Sequence, residues 1–269
     1  MRMRPRVVLA IVVGLLAVAA AVFFFWPRPA PKPPLVVGEL PPFCHDLSFE
    51  GVVHAVCEVD PKGYAVFVAR ADAGGKPYGS IQAFDKAVAA KGAAVQLAMN
   101  AGMYHEGLGP VGLFVEAGRQ ETPLNQADGE GNFFLKPNGV FFVRKDGSAG
   151  VMETAAYEAA HPEGDPDIAY ATQSGPMLVI DGKIHPRFEP DGTSRFIRNG
   201  AGVRGDGTVV LAISRQPVSL GSFARLFKDE LACPNALFLD GAISTLSDGD
   251  RILVGGKDPV GPILAVRKR

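Results

Sequence analysis

Nine short apolar or alternating runs, none longer than seven residues, most constrain what this chain can fold into. They are YAVFVAR (64–70), AVQLAM (94–99), VGLFVE (111–116), GVFFVR (139–144), MLVID (177–181), TVVLAIS (208–214), ALFLD (236–240), ILV (252–254) and PILAVR (262–267). Runs of this length are strand-sized, and Gly, Pro, Asn or Asp bounds most of them. Asp181-Gly182 between two apolar pairs is a two-residue hairpin signal, and Asp206-Gly207 introduces TVVLAIS in the same manner. Two helices stand out. One follows Ser80 as N-cap, with Ile81, Phe84 and Val88 on one face and Gly92 past its end; the other follows Ser222, with Phe223, Leu226, Phe227 and Leu231 at helical spacing. The second joins TVVLAIS to ALFLD, and such a strand–helix–strand unit favours parallel pairing locally. The expected fold class is α+β: a mixed, strongly twisted β-sheet core with a few packed helices, in one domain.

Residues 7–26 are an unbroken apolar run of twenty, long enough to span about 30 Å, one hydrocarbon core. Arg2, Arg4 and Arg6 precede it and Trp26 closes it. The positive-inside bias makes 1–6 a cytoplasmic basic segment and 7–26 a transmembrane anchor, with everything beyond extracytoplasmic. A cleaved signal peptide is the competing reading, disfavoured because the mature chain would then begin with apolar residues. Seven prolines in residues 27–42 make a semi-rigid stalk. Residues 43–269 remain for the domain.

From Glu39 onward the chain carries 22 basic and 28 acidic residues, a net of −6, with no basic block. That argues against a nucleic-acid partner and leaves the N-terminal helix as the only expected membrane contact. Cys44, Cys57 and Cys233 allow three single disulfide pairings, among which the sequence does not choose. No cysteine or histidine spacing matches a zinc site, so no metal is expected. GAGVRG (200–205) fits G-x-G-x-x-G by letter, but an Asp-Gly turn and a strand follow it where a dinucleotide site needs a helix.

What remains is a set of polar residues at glycine-flanked strand ends. AMNAGMYHEG (98–107) puts Asn100 directly after an apolar run, with His105 and Glu106 in the loop beyond. ATQSGPMLVIDG (171–182) puts Gln173 and Ser174 directly before one. SRFIRNGAGV (194–203) carries Arg198 and Asn199 into small residues, and NALFLDGAIST (235–245) delivers Asp240 into a turn with Gly241 and Ser244. Each alone reads as a turn former. Together, one acid, one permanently charged Arg and several amides and hydroxyls suit a hydroxyl-rich ligand that carries an anionic group.

These four segments, in this order, resemble the phosphodiester glycosidases. AMNAGMY resembles the family's Asn-Gly-Gly-Phe-Phe segment, TQSGPMLVIDG its Ser-Gly-Gly-Pro strand and Asp-Gly turn, RNGAGVRGDGTVVLAIS its Arg-Thr-Ala-x-Gly segment, and ALFLDGAIS its Leu-Asp-Gly-Gly-Gly-Ser segment. The resemblance covers roughly residues 60–269 and is strongest to an exported bacterial branch. Two departures are Gly241-Ala242-Ile243 in place of three glycines and Asn199 in place of Thr.

The resemblance implies a cofactor-free hydrolase that cleaves a sugar-1-phosphodiester of an extracytoplasmic glycan or glycoconjugate. A phosphate leaving group departs as a stable anion, so acid assistance matters less than in ordinary glycosidases and charge stabilisation more. Arg198 would hold the phosphate with Asn199 and backbone N–H groups around Gly241 and Ser244. Asp240 would stabilise the oxocarbenium-like centre, attack it or activate water, with Glu106 and His105 as further proton carriers. Asn100, Gln173 and Ser174 would hold sugar hydroxyls. A non-catalytic glycan- or peptidoglycan-binding module, and a phosphodiesterase splitting the P–O bond, are the alternatives.

Overall fold

The computed structural model describes residues 39–161, 165–256 and 258–269. The expected basic segment, the anchor and stalk residues 27–38 lie outside them. Among the described residues, no helix is long and apolar enough to cross a membrane. The last stalk residues already touch the domain: Leu40 packs against its core and Pro41 is buried.

Three sheets enclose one core. The largest runs β1 (Cys44–Phe49), β2 (Val52–Val59), β13 (Val209–Ser214), β12 (Asn199–Val203), β14 (Asn235–Phe238), β10 (Met177–Ile180), β11 (Lys183–Ile184). The second runs β16 (Ile252–Val254), β15 (Leu246–Ser247), β4 (Leu97–Asn100), β17 (Ile263–Lys268), β3 (Tyr64–Ala69). The third runs β6 (Arg119–Thr122), β5 (Phe114–Glu116), β9 (Ile168–Ser174), β7 (Gly139–Arg144), β8 (Ala149–Glu153). Leu211, Leu237, Met99, Leu264, Phe114 and Phe141 bring all three into a single apolar cluster. A helix covers the outer face of each sheet: α1 (Ile81–Ala89) the second, α2 (Thr154–Ala160) the third and α3 (Leu220–Arg225) the first. Inner strands are therefore buried on both faces, which is why TVVLAIS and ALFL read as continuous apolar runs rather than alternating ones.

The α+β class holds, but the local parallel pairing does not. Every strand pair among the described residues is antiparallel, and β12 lies between β13 and β14, pairing with both. The two strands do run parallel to one another; the hairpin at Asp206-Gly207 inserts their common neighbour between them. The Asp181-Gly182 turn forms as expected, with φ of 46° and 75° at its two residues and Ile180 opposite Lys183. GAGVRG falls on the inner strand β12 and the turn that follows it. A Cβ on Gly200 would meet the Leu237 carbonyl oxygen at 2.9 Å, and one on Gly202 the Cys233 sulfur at 2.7 Å, so these glycines serve close packing.

Ser80 caps α1 as expected, its hydroxyl accepting from the Ala83 N–H at 3.1 Å. The cap of α3 is Ser219 rather than Ser222: its hydroxyl accepts from the Ser222 N–H at 3.1 Å, and Ser222 itself donates to Glu50 at 2.7 Å. Beyond Arg225 the helix widens into a π-turn over Leu226–Glu230. Of the three possible pairings the cysteines take Cys44–Cys57, directly opposite one another on β1 and β2, and Cys233 is free and buried.

Candidate active site

The site grows from the seam where the first sheet meets the second. At the end of β4, Asn100 is 1% exposed and spends its whole amide on protein. Its Nδ2 donates to the Asp240 carbonyl oxygen at 2.6 Å and reaches Asn199 Oδ1 at 3.5 Å. Its Oδ1 accepts from the Thr245 N–H at 2.9 Å and from Asn199 Nδ2 at 3.1 Å. Asn199, at the start of β12, is fully buried and answers it: Nδ2 also donates to the Asn100 carbonyl oxygen at 2.8 Å, and Oδ1 accepts from the Ser244 hydroxyl at 3.2 Å. The Ser244 hydroxyl also reaches the Ile197 carbonyl oxygen at 2.9 Å. Three polar side chains thus form a closed knot whose groups satisfy each other, as burial demands.

The knot fixes Asp240. Its N–H donates to the Ala101 carbonyl oxygen at 3.2 Å while its own carbonyl receives Asn100, so the end of β4 and the residue after it hold Asp240 on both its backbone groups. The next residues turn into a short 3₁₀ helix, Gly241–Ile243. Gly241 lies flat on the Phe238 ring, where an added Cβ would stand 2.4 Å from Cζ. The half-buried Asp240 carboxylate is electrostatically coupled to Tyr104. That phenol donates to the Pro259 carbonyl oxygen; burial first, then Asp240 and Asp258, push its pKa up to about 12. Tyr104 is a site residue that the sequence reading passed over, although it sits directly before His105.

Arg198 directly precedes β12 in extended backbone, its carbonyl accepting from the Ser214 N–H at 2.9 Å, so its side chain and that of Asn199 point to opposite sides. Asn199 enters the knot. The Arg198 guanidinium, 1% exposed, lies on the other face between the rings of Phe238 and Phe196, 5.2 and 5.5 Å from their centres. Its Nε donates to the Val218 carbonyl oxygen at 2.8 Å and Nη2 to the Ser194 carbonyl oxygen at 2.9 Å. Among the described residues it makes no ion pair, and Nη1 faces no acceptor. Burial lowers its pKa to about 10, so it remains charged at neutral pH. The β12–β14 register sets Gly200 opposite Phe238. One residue further along, the Leu239 N–H donates to the Asn199 carbonyl oxygen at 3.0 Å, so the pairing runs up to the residues beside Arg198 and Asp240 before Asp240 turns to Ala101. A buried cation held by two carbonyls, the Ser194 hydroxyl at 3.5 Å and two ring faces, with no ion pair among the described residues, is equipment for an anion.

Other expected site residues are placed differently. Gln173 is buried with all four hydrogen-bonding positions filled: Oε1 accepts from Leu113 and Asn125 N–H groups at 3.0 and 2.8 Å, and Nε2 donates to the Asn125 carbonyl oxygen at 2.7 Å and Thr154 at 3.3 Å. It organises residues 111–125 and has no valence left for a sugar hydroxyl. The same saturation moves Asn100 and Asn199 from ligand contact to positioning. Ser174 is fully buried on β9, its hydroxyl without a partner among the described residues. His105 and Glu106 are exposed at the tip of the loop closed by the Tyr104–Pro110 bridge, outside the knot. Among the described residues, no three His, Cys, Asp or Glu side chains gather as a metal site requires.

Comparison with known proteins gives the chain's family and fold. The family model described as phosphodiester glycosidase matches residues 93–255, which contain the knot, Arg198 and Asp240. The uncharacterized protein YigE of Escherichia coli K12 is 39% identical over 186 residues, covering 69% of this chain and 70% of that protein. Among solved structures, the auto-inhibited catalytic domain of zebrafish N-acetylglucosamine-1-phosphodiester alpha-N-acetylglucosaminidase superposes with a TM-score of 0.58 at 16% identity, covering 84% of this chain and 82% of that one. A putative exported protein of Burkholderia pseudomallei superposes with a TM-score of 0.52 at 15% identity, covering 80% and 74%. At these identities the two structures speak to the fold alone. The sequence matches go further: the chain belongs to the phosphodiester glycosidase family.

Proposed function

We propose that this chain hydrolyses a sugar-1-phosphodiester at the glycosyl–phosphate bond. The observation that supports the reading is Asp240, a carboxylate-bearing residue whose N–H and carbonyl are held by Ala101 and Asn100, at the end of the strand that pairs with the one following the buried Arg198. The bond from the anomeric carbon to the bridging oxygen breaks, and the phosphomonoester leaves with that oxygen and the electron pair. Water supplies the new hydroxyl on the anomeric carbon, and its proton passes to a carboxylate or to solvent. Asp240 faces the developing positive charge, and the free Nη1 edge of Arg198 receives the departing phosphate. Electrostatic help of this kind costs no reorganisation, because the groups are already in place. His105 and Glu106, on the loop that begins at Tyr104, are the exposed groups able to carry protons onward.

An extracytoplasmic, membrane-anchored setting suits this reading. The basic residues before the apolar run at 7–26 favour that orientation, and the Cys44–Cys57 disulfide is a bond that persists in oxidising compartments. Glycans and sugar phosphates of that compartment are then the substrates.

The test is turnover of a synthetic sugar-1-phosphodiester in oxygen-18 water. The label is expected in the released sugar, with turnover abolished in Asp240→Asn and kcat/KM lowered about 100-fold in Arg198→Lys, where the planar fork is lost. Label in the phosphate would assign P–O cleavage instead. Saturable binding without turnover would make the domain a glycan-binding module.

A further inference from the structure

Among the described residues, Phe196 is the one large hydrophobic side chain left exposed, at 52%. Single exposed apolar residues are ordinary, but this one is fixed and aligned. Its N–H donates to the Val218 carbonyl oxygen at 3.2 Å and its carbonyl accepts from the Val218 N–H at 2.8 Å, so the bridge decides where the ring emerges. Beneath the ring lies the Arg198 guanidinium, beneath that the Phe238 ring, and against that ring Gly241 beside Asp240. From solvent inward the order is Phe196, Arg198, Phe238, Gly241. Ser194, which accepts from the same guanidinium, lines a neighbouring concavity of about 210 Å³ whose apolar walls are Leu135, Phe188 and Leu220 and whose rim carries Arg187, Glu189 and Thr193.

On the hydrolase reading, with the phosphate at Arg198 and the sugar toward Asp240, a second ester oxygen directed to solvent would pass the exposed Phe196 ring that covers the guanidinium. We infer that Phe196 and this apolar wall select the aglycone, and that the aglycone is an apolar alcohol of the alkyl or prenyl kind. This rests on the hydrolase reading above. A phenyl ring and three half-buried aliphatic or aromatic walls gain free energy from covering CH₂ groups, which a hydrated sugar aglycone would not supply.

The experiment compares three diesters sharing one sugar-1-phosphate, with methyl, hexyl or hexose aglycones, on the full-length protein. The wild type is expected to show a KM for the hexyl diester at least about tenfold below that for the methyl diester, since each buried methylene is worth a factor of several. In Phe196→Ser that ratio collapses toward one, while Phe196→Leu, which keeps an apolar contact, retains most of it. Thermal melting of each variant confirms that it is folded. A ratio near one in the wild type overturns the inference. So does a Phe196→Ser loss equal for methyl and hexyl diesters, which would mark the ring as a mere cover for Arg198, or a hexose diester with the lowest KM. Turnover of none of the three refutes the hydrolase reading and this inference with it; turnover without aglycone preference refutes only the latter.

Discussion

Asn100→Ala is the sharpest test of the idea that the amide knot exists to place Asp240. Truncation removes the donor to the Asp240 carbonyl and the acceptor for the Thr245 N–H, while Asn199 Nδ2 keeps the Asn100 backbone carbonyl at 2.8 Å. Two buried backbone groups are left unpaired, at about 1–3 kcal/mol each, so the expected loss is about 2–6 kcal/mol. That is a large part of the stability of an ordinary domain, about 5–15 kcal/mol. Urea denaturation measures it directly. Because the Asp240 peptide loses one of its two grips, kcat/KM on the phosphodiester should fall about 100-fold, the scale of an ångström-sized misplacement. Asn100→Asp separates the two halves of the argument. It preserves the acceptor for Thr245 but replaces the donor with a second acceptor against the Asp240 carbonyl, so its stability should recover at low pH, where a protonated carboxyl can donate again. An alanine variant within about 1 kcal/mol of wild type and with unchanged turnover would refute the reasoning, since no buried pair of that kind comes apart for less.

Two buried titratable groups outside the site make opposite pH predictions. His54 is fully buried against Phe223, its ring nitrogens unpartnered among the described residues, and burial lowers its pKa to about 4. Between pH 6.5 and 4 the unfolded chain binds the proton and the folded one does not, so stability is lost as pH falls through that window, by about 3 kcal/mol in all. His54→Phe should flatten this limb in urea titrations from pH 7 to 4, and an unchanged limb would remove His54 as its cause. Asp85, buried on α1, is raised to about 6, chiefly by burial and further by Asp248 and Asp250. Here the folded state holds the proton longer, so stability is lost as pH rises from about 4 to 6. Asp85→Asn should therefore gain up to about 3 kcal/mol at pH 7 and little at pH 4; equal gains at both would count against the shift.

Much of the fold was legible because buried strands are apolar whatever their partners. The runs at 64–70, 139–144, 208–214 and 236–240 contain β3, β7, β13 and most of β14 for that reason. What escaped was set by neighbours. β1 is an edge strand with no clean alternation, α2 is a short alanine-rich turn capped by Glu153, and the α3 cap was displaced because Ser222 looks equally able to begin a helix until its hydroxyl is seen on Glu50. Parallel pairing failed because adjacency in a sheet depends on where an intervening hairpin lands. At the site the positions were legible and the duties were not. Asn100, Asn199 and Gln173 announce polarity at a strand end, but whether an amide greets a ligand or another amide is decided by the valences left after folding, which residue type does not encode.

The cross-strand disulfide has a mechanical consequence. The first strand of the domain, edge strand β1, begins at Cys44, and Cys44 faces Cys57 on β2. Tension applied through the residues before Cys44 would peel β1 away one hydrogen-bonded pair at a time, starting at that pair. A covalent bond at the first pair stops the zipper before it opens and hands the load to β2, an inner strand that β13 holds along its other side, with Leu211 opposite Cys57. A pull on the entering chain is thus passed to β2 and its partner β13, while β12 and β14, which lead to Arg198 and Asp240, lie further into the sheet.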